Sequence, residues 1–570
     1  MFAAAISEMI SLSAVFPFLS VLTSPDRVLK YPVAKDFALR FGIVTPEQLV
    51  LVFTVIFATA AFLAGSVRLL QLWVNTRFAF AVGHDLSAEV YRRTLYQPYH
   101  VHLARNSSEV ISGVDKVTTA TEILFQMLSM FSSLFVASCL VFTMEIVDPF
   151  GATLAFLGFG SIYGLITWLI RGRLLHNSKR VAREQVMRLK AMQEGLGGIR
   201  DILLGGHQSK YCKLYGRADL PMRTAQGNNR FFSMSPRYAI EALGMVLIAF
   251  LAYGLARKTN EMHTILPTLG GLVFGAQRLL PALQQIYGGW ANITGNKASL
   301  IDVLMLLDQP FPEELLLSHP LPLNFRREIR FESVDFHYRH DGPWVLKDLD
   351  LVIPYGARVG FVGGTGSGKS TTLDLLMGLL QPTTGNILVD GTPLTTSTHR
   401  SWQRIISHVP QSIYLADTTL AENIAFGENP ENIDMDRVKL AARHAQIKDF
   451  IENTPDGYET MVGERGVRLS GGQRQRIGIA RALYGQAKIL VFDEATSALD
   501  NMTERMVMDA IKDLDSDLTI LIVAHRLSTV CRCQIIFEMD KGRVVSQGTY
   551  EQLLKSSASF KEMAEIGNNN

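Results

Sequence analysis

Cysteine is scarce in this chain. Cys139, Cys212, Cys531 and Cys533 are the four in 570 residues, and no two are spaced as C-x-x-C. A disulfide framework and a cysteine-built zinc site are thereby excluded. Charge is scarce as well, at 19% of residues, against about a quarter in soluble proteins. Neither sign dominates: 55 Lys and Arg face 53 Asp and Glu, which excludes a globally polycationic nucleic-acid binder. Disorder is excluded too, because it needs low hydrophobicity with high net charge, and 48% of the residues are apolar. Beyond about residue 290 the chain has no apolar run long enough to cross a bilayer, whereas six such runs precede it.

A bilayer core takes roughly 20 apolar residues per helix. The six runs cover 2–22, 49–67, 123–146, 152–170, 240–256 and 265–286. The first has no basic region ahead of its apolar stretch and is long for a secretory signal, so it reads as a spanning helix. The last contains Pro267, Gly270, Gly271, Gly275 and Pro281, the composition of an irregular or closely packed helix. Six spans put both termini on one side. The segment 171–230 carries thirteen Lys and Arg against four Asp and Glu, and 68–120 carries six Lys and Arg. The segments opposite hold four, none and two basic residues. The positive-inside bias therefore puts both long loops and both termini in the cytoplasm. Those loops read as helical extensions of the spans, each broken near its middle, at 106–108 and at 197–198 with 205–206. The breaks are expected to turn the chain and present a short element at each tip. Residues 26–41 lie outside and read as a short amphipathic helix. A Pro- and Leu-containing connector follows the last span, and then short strands alternate with helices, an α/β signature.

The second half carries a phosphate motif. Gly363, Gly364, Thr365, Gly366, Ser367, Gly368, Lys369 and Ser370 match G-x-x-x-x-G-K-[ST]. They follow a strand-like run, Arg358–Val362, and open a helix beginning near Thr371. Glycines let the backbone N–H groups curl around phosphate oxygens, the helix start adds positive dipole, Lys369 meets the β/γ-phosphates and Ser370 ligates Mg²⁺. A second apolar strand, 488–492, delivers Asp493 and Glu494 to its C-terminal end. Asp493 is expected to hold Mg²⁺ and Glu494 to polarise or deprotonate the attacking water. Between them, Ser470, Gly471, Gly472 and Gln473 form a small-residue turn that opens a basic helix.

The ordered set of the 363–370 loop, Gln411, the 469–473 turn, Asp493-Glu494, Ser497-Ala-Leu-Asp500 and His525 resembles the nucleotide-binding domain of ATP-binding cassette (ABC) transporters. Six spans followed by one such domain resemble an exporter-type half-transporter. The resemblance implies an α-helical membrane domain, six transmembrane helices with long cytoplasmic extensions, fused to an α/β P-loop ATPase domain. The expected boundaries are 1–308 for the membrane domain, 309–326 for a linker and 327–570 for the ATPase. ATP and Mg²⁺ are the implied cofactors. Tyr338 would stack on adenine, Thr371 would help to line the phosphate site, and Gln411 would contact Mg²⁺ and sense the membrane domain. Ser470 and Gly472 would grip the γ-phosphate held by a second protomer, with Gly471 and Gln473 beside them. Asp500 would lie at the dimer seam, His525 would touch the γ-phosphate, and Glu464 would communicate with the inner loops. With Glu494, His525, Gln411 and Lys369 all present, two copies would form two competent sites, so a homodimer in the bacterial inner membrane is implied, with its ATPase domains in the cytoplasm. Exporters of this type usually carry a cytoplasmic helix before the first span. Here that span opens at Phe2, which leaves open a longer natural N-terminus.

Ionisable residues inside spans are costly and are candidates for function. They are Glu8, Arg68, Arg237, Glu241 and Arg278. At 1.5 Å per residue, Arg68 and Arg237 fall roughly 30 Å from the outer ends of their spans, where snorkelling is expected. Arg237 and Glu241 are also spaced to pair. Arg278 falls roughly 20 Å in, nearer the midplane. Arginines that face a cavity suit a phosphate or pyrophosphate head group, so Arg237 and Arg278 are the substrate candidates. Ile6-Ser-Glu8, Pro236-Arg237 and 277–281 resemble the bacterial lipid-linked oligosaccharide flippases of protein N-glycosylation, although Gln285 stands where that group would carry another basic residue. A lipid-linked oligosaccharide is thus the favoured cargo, and no nucleic acid is expected. The alternatives are a multidrug or lipid exporter without head-group selection and, more distantly, a non-transporting regulatory protein on the same fold.

Overall fold

The computed structural model describes residues 2–23, 45–147, 149–258, 262–311, 321–339, 341–494, 501–512, 517–524 and 527–568. The 26–41 helix, Asp500 and His525 expected from sequence lie outside the described residues. The chain forms two compact units. One holds Met1–Gln97 with Arg105–Phe311, and the other holds Pro98–Ala104 with Pro312–Asn570.

The first unit is helical. Its long helices are α1 (Phe2–Thr23), α2 (Pro46–Leu95), α4 (Ser107–Val147), α5 (Pro149–Gly197), α7 (Gln208–Lys258) and α8 (Met262–Leu307). Two short helices stand at the turns, α3 (Tyr99–Ala104), which belongs to the second unit, and α6 (Ile199–Leu204). Helix α2 has 50 residues and is therefore about 75 Å long, more than twice a hydrocarbon core of about 30 Å. Its start is fixed by a capping box, in which the Thr45 hydroxyl accepts from the Gln48 N–H while the Gln48 side chain accepts from the Thr45 N–H. The chain then breaks before Pro98, a break not expected from sequence, and again at Asn106, whose side chain accepts from the Ser108 N–H at 3.1 Å. Among the described residues, Phe2–Thr23, Glu47–Leu95 and Ser107–Ile146 are long and apolar enough to cross a membrane. Phe62, Leu63, Leu70 and Trp73 on α2 are exposed, an apolar face suited to lipid.

Helix α8 lies against α4 and also meets α1, α5 and α7, so it forms the spine of this unit. Lys116 of α4, almost fully buried, donates to Asp302 of α8 at 2.5 Å and to the Ala182 carbonyl of α5 at 3.2 Å. A buried ammonium needs such partners. At the other end of α2, Glu89 holds both Arg92 and Arg93. Arg93 donates to the carbonyls of Leu307 and Gln309, and Gln97 donates to that of Pro310. Arg92 lies 4.8 Å from the Phe311 ring.

The second unit carries two sheets. The strands are β1 (Glu328–Phe336), β2 (Leu346–Pro354), β3 (Arg358–Val362), β4 (Thr384–Val389), β5 (Thr392–Pro393), β6 (Ile406–Val409), β7 (Ile489–Asp493), β8 (Thr519–Val523), β9 (Ile535–Asp540) and β10 (Arg543–Gly548). An antiparallel sheet runs β2-β1-β4-β5, and a second runs β10-β9-β3-β8-β7-β6. The latter is parallel except for its β10 edge. Val359, Phe361 and Val362 of β3 and every residue of β8 are buried, as expected for parallel strands covered on both faces. Because β8 alone separates β3 from β7, the segment after Val362 and the segment ending in Asp493 emerge from the same carboxyl edge, one strand apart.

Candidate nucleotide and lipid sites

The loop after β3 is built by glycine. Gly363 has φ +145°, Gly366 +81° and Gly368 +101°, regions that favour residues without Cβ. Gly368 caps the helix Lys369–Leu376. Lys369 is buried and folds back on its own loop, donating from Nζ to the carbonyls of Gly363 and Gly364 at 2.9 Å each. Burial pulls its pKa below the ordinary lysine value, while Glu494 and Asp493 push it back up. Among the described residues, the N–H groups of Lys369 and Ser370 have no acceptor in the chain, the usual condition of a helix start. Gly364, Thr365 and Gly366 are exposed, and a Cβ at Gly364 or Gly366 would meet open space. Free N–H donors, an ammonium and an open glycine cradle fit a polyphosphate.

The acidic side of the site stands opposite. Ser370 Oγ lies 3.5 Å from Asp493 Oδ1. Gln411 donates from Nε2 to Glu494 Oε2 at 2.6 Å. Ser370, Asp493 and Gln411 thus offer a hydroxyl, a carboxylate and an amide, the hard oxygen donors that Mg²⁺ takes alongside phosphate. Glu494 has φ +53°, strained for a residue with a side chain, and its N–H is held by the Val523 carbonyl at 3.1 Å. Tyr338, just past β1, is half-exposed and its hydroxyl lies 3.1 Å from Thr371 Oγ1.

The turn at 470–473 behaves as a helix cap. Ser470 Oγ accepts from the Gln473 N–H at 3.2 Å, and Gln473 Oε1 accepts from the Ser470 N–H at 2.7 Å. This capping box starts the helix Gly471–Tyr484. No hydrogen bond among the described residues joins Ser470, Gly471, Gly472 or Gln473 to the phosphate loop. Arg474 braces the preceding turn, which contains Glu464, by donating to the Leu469 and Gly466 carbonyls.

Two residues of this unit escaped the sequence reading. Asp374, on the phosphate-loop helix, has its pKa pushed up to about 6 by burial, with Asp493 adding to it. Arg481, on the buried side of the helix Gly471–Tyr484, donates to the carbonyls of Asn423 and Tyr414. The signal for Arg481 was a cation among Ile477, Gly478 and Ala480; Asp374 had no distinguishing neighbour.

In the membrane unit, Glu8 is 1% exposed. It accepts from Arg68 Nε at 2.8 Å and from Arg278 Nη1 at 2.7 and 3.0 Å. Arg68 was expected to snorkel. It is drawn instead to Glu8, because a buried carboxylate attracts a nearby cation more strongly than the interface does. Arg68 and Arg278 line a cavity of about 340 Å³ with Ser11, Phe57, Gln277 and Pro281. Arg237 pairs with Glu241 at 2.6 Å along an exposed face of α7, so it has a partner of its own. Gln285 accepts from Ser133 at 2.6 Å.

Comparison with known proteins agrees with both units. Residues 346–497 match the ABC transporter family model and residues 3–264 match that of the ABC transporter transmembrane region. An ATP-dependent lipid A-core flippase of Chromohalobacter salexigens is 30% identical over 92% of this chain and 90% of its own. A flippase of the same name from Alkalilimnicola ehrlichii is 34% identical over 72% of this chain and 69% of its own. The solved structure of a bacterial Atm1-family ABC exporter with ATP bound superposes with a TM-score of 0.82 at 26% identity, covering 99% of this chain and 97% of that one. The chain belongs to the ABC transporter family, as an exporter-type half-transporter whose cassette hydrolyses ATP to drive movement across the membrane.

Proposed function

We propose that this half-transporter acts as a homodimeric flippase for an amphipathic lipid with a phosphate-type head group. The observation that carries this reading is the pair Arg68 and Arg278 beside a cavity whose remaining lining is mostly apolar. Ionisable groups inside spans are kept for cargo or gating, and the guanidinium fork matches phosphate oxygens. The lipid A-core named for the relatives and the lipid-linked oligosaccharide favoured from sequence both fall in this class.

The cassette supplies the work. Lys369 and the loop N–H groups would hold the phosphates of ATP, with Tyr338 at the base. Ser370, Asp493 and Gln411 would hold Mg²⁺, which supplies charge neutralisation at the phosphates when bound. Glu494 would take the proton of the attacking water, and its hydrogen bond to Gln411 fixes the carboxylate for that task. Ser470, Gly471, Gly472 and Gln473, unbonded to the loop of their own chain, would serve the site of a second copy, as would Asp500 at the seam, and His525 would complete the γ-phosphate contacts. Leu203 and Leu204 of α6 are exposed at the tip of the second inner loop, which supports a further contact with that copy. The inner membrane of a bacterium is the proposed location, with the cassettes in the cytoplasm.

The test is reconstitution of the full chain with a labelled lipid panel. Arg278→Ala is expected to lower flipping of phosphate-bearing lipids about tenfold or more, the cost of one charge-assisted contact, with a smaller effect on basal ATP hydrolysis. Equal transport of neutral and anionic lipids by the unaltered protein would instead favour an exporter without head-group selection.

A further inference from the structure

Among the described residues, Glu8 is the most deeply buried acid of the membrane unit, and it carries two cations rather than one. The three partners come from three helices: Glu8 from α1, Arg68 from α2 and Arg278 from α8. Arg68 engages the carboxylate through Nε and Arg278 through Nη1. Each guanidinium has five N–H donors, so each keeps most of them. Those donors have no partner among the described residues, and both side chains are partly exposed along the cavity wall. Ser11 and Gln277 add neutral polar groups, while Leu12, Val15, Phe57 and Pro281 make the rest apolar.

Among the described residues that line this cavity or pair with its lining, three carry charge. Two guanidinium groups and one carboxylate leave a single positive charge. An apolar wall tolerates little net charge, because an uncompensated ion out of water is costly. One negative charge on the ligand brings the site to neutrality. Two or more overshoot it, and the added charge would stand next to the Glu8 carboxylate.

Resting on the anionic-lipid reading above, we propose that Glu8 is the specificity-determining residue of the site. It orients Arg68 and Arg278 toward the cavity and limits the net charge to one, so that a singly charged phosphodiester head group is preferred over a pyrophosphate. The Gln285–Ser133 hydrogen bond fits this assignment, since Gln285 brings no further cation to α8.

The experiment uses the full chain in phosphatidylcholine proteoliposomes. ATP-dependent flipping is measured for a fluorescent phosphatidylglycerol, a polyprenyl pyrophosphate and a neutral glycolipid. The unaltered protein is expected to prefer phosphatidylglycerol. Glu8→Gln, nearly isosteric, raises the site to two positive charges and is expected to shift the ratio of apparent affinities toward the pyrophosphate by about tenfold. Glu8→Asp keeps the charge and is expected to retain the original order, which separates a charge effect from a folding defect. Preference for phosphatidylglycerol that is unchanged in Glu8→Gln would overturn the role of Glu8 while leaving the anionic-lipid reading intact. Preference for the pyrophosphate by the unaltered protein would overturn the charge limit. Indifference of the unaltered protein to all head-group charge would overturn both readings.

Discussion

Gly363→Ala tests whether the phosphate loop is built as described. The new methyl would stand 2.2 Å from the Met539 carbonyl oxygen and 2.9 Å from Ser367 Oγ, at φ +145°. The hydroxyl can rotate, but Met539 lies in β9, which pairs with β3 and β10 and cannot retreat. Holding a side chain in that backbone region costs about 1–3 kcal/mol, and the overlap adds a similar amount, about 1–3 kcal/mol, as overpacking does elsewhere. The sum, about 2–6 kcal/mol, is a large share of a domain stability of about 5–15 kcal/mol. At about 2–4 °C per kcal/mol for a domain of this size, the cassette transition should fall by about 4–24 °C. Gly364→Ala is the matched control, because its Cβ meets nothing within 4 Å; its melting should stay near that of the unaltered protein. Differential scanning fluorimetry of the purified full chain reads both. Melting of Gly363→Ala within about a degree of the unaltered protein, far inside the expected shift, would refute the reasoning.

Two further outcomes concern the cassette. Glu494→Gln keeps an acceptor for Gln411 and leaves the backbone bond to Val523 untouched, so it should lower turnover by about 10²–10⁴ while radiolabelled ATP still binds; hydrolysis at the normal rate would remove Glu494 from the role of base. Asp374 binds its proton more tightly when folded, its pKa being raised from 3.8 to about 6. Its burial penalty is therefore absent below the unfolded value and complete above about 6. Asp374→Asn should raise stability at pH 7.5 by about 3 kcal/mol at most, and the gain should shrink as the pH falls through 6 toward 4, measured by melting across that range.

The cassette was legible because its chemistry is local. The strand Arg358–Val362 and the small-residue turn at Ser470 each lie within one continuous segment, and their roles follow from residue types at fixed offsets. The α2 extension was legible for the same reason, since helical spacing continues past the apolar run, although the break at Pro98 was missed beside the plainer one at Asn106. The cluster of Glu8, Arg68 and Arg278 was not legible. Its members are up to 270 residues apart, and a depth estimate along one helix says nothing about which neighbour another helix brings. The same limit hid the Gln411–Glu494 bond, for which the sequence offered only a contact with Mg²⁺. Arg237 is the converse case: its partner is four residues away, and the pairing was expected.

The clamp at the end of α2 has a mechanical consequence. The chain leaves the first unit at Gln97, returns at Arg105 and leaves again at Phe311, and the two exits are fastened together by Arg92, Arg93 and Gln97. A load arriving along either exit thus meets the same knot of carbonyl bonds, so the two exits do not act as independent tethers. A hybrid that grafts a foreign cassette onto this membrane unit should keep 307–311 together with 89–97, because cutting between them would free one strand to move without the other.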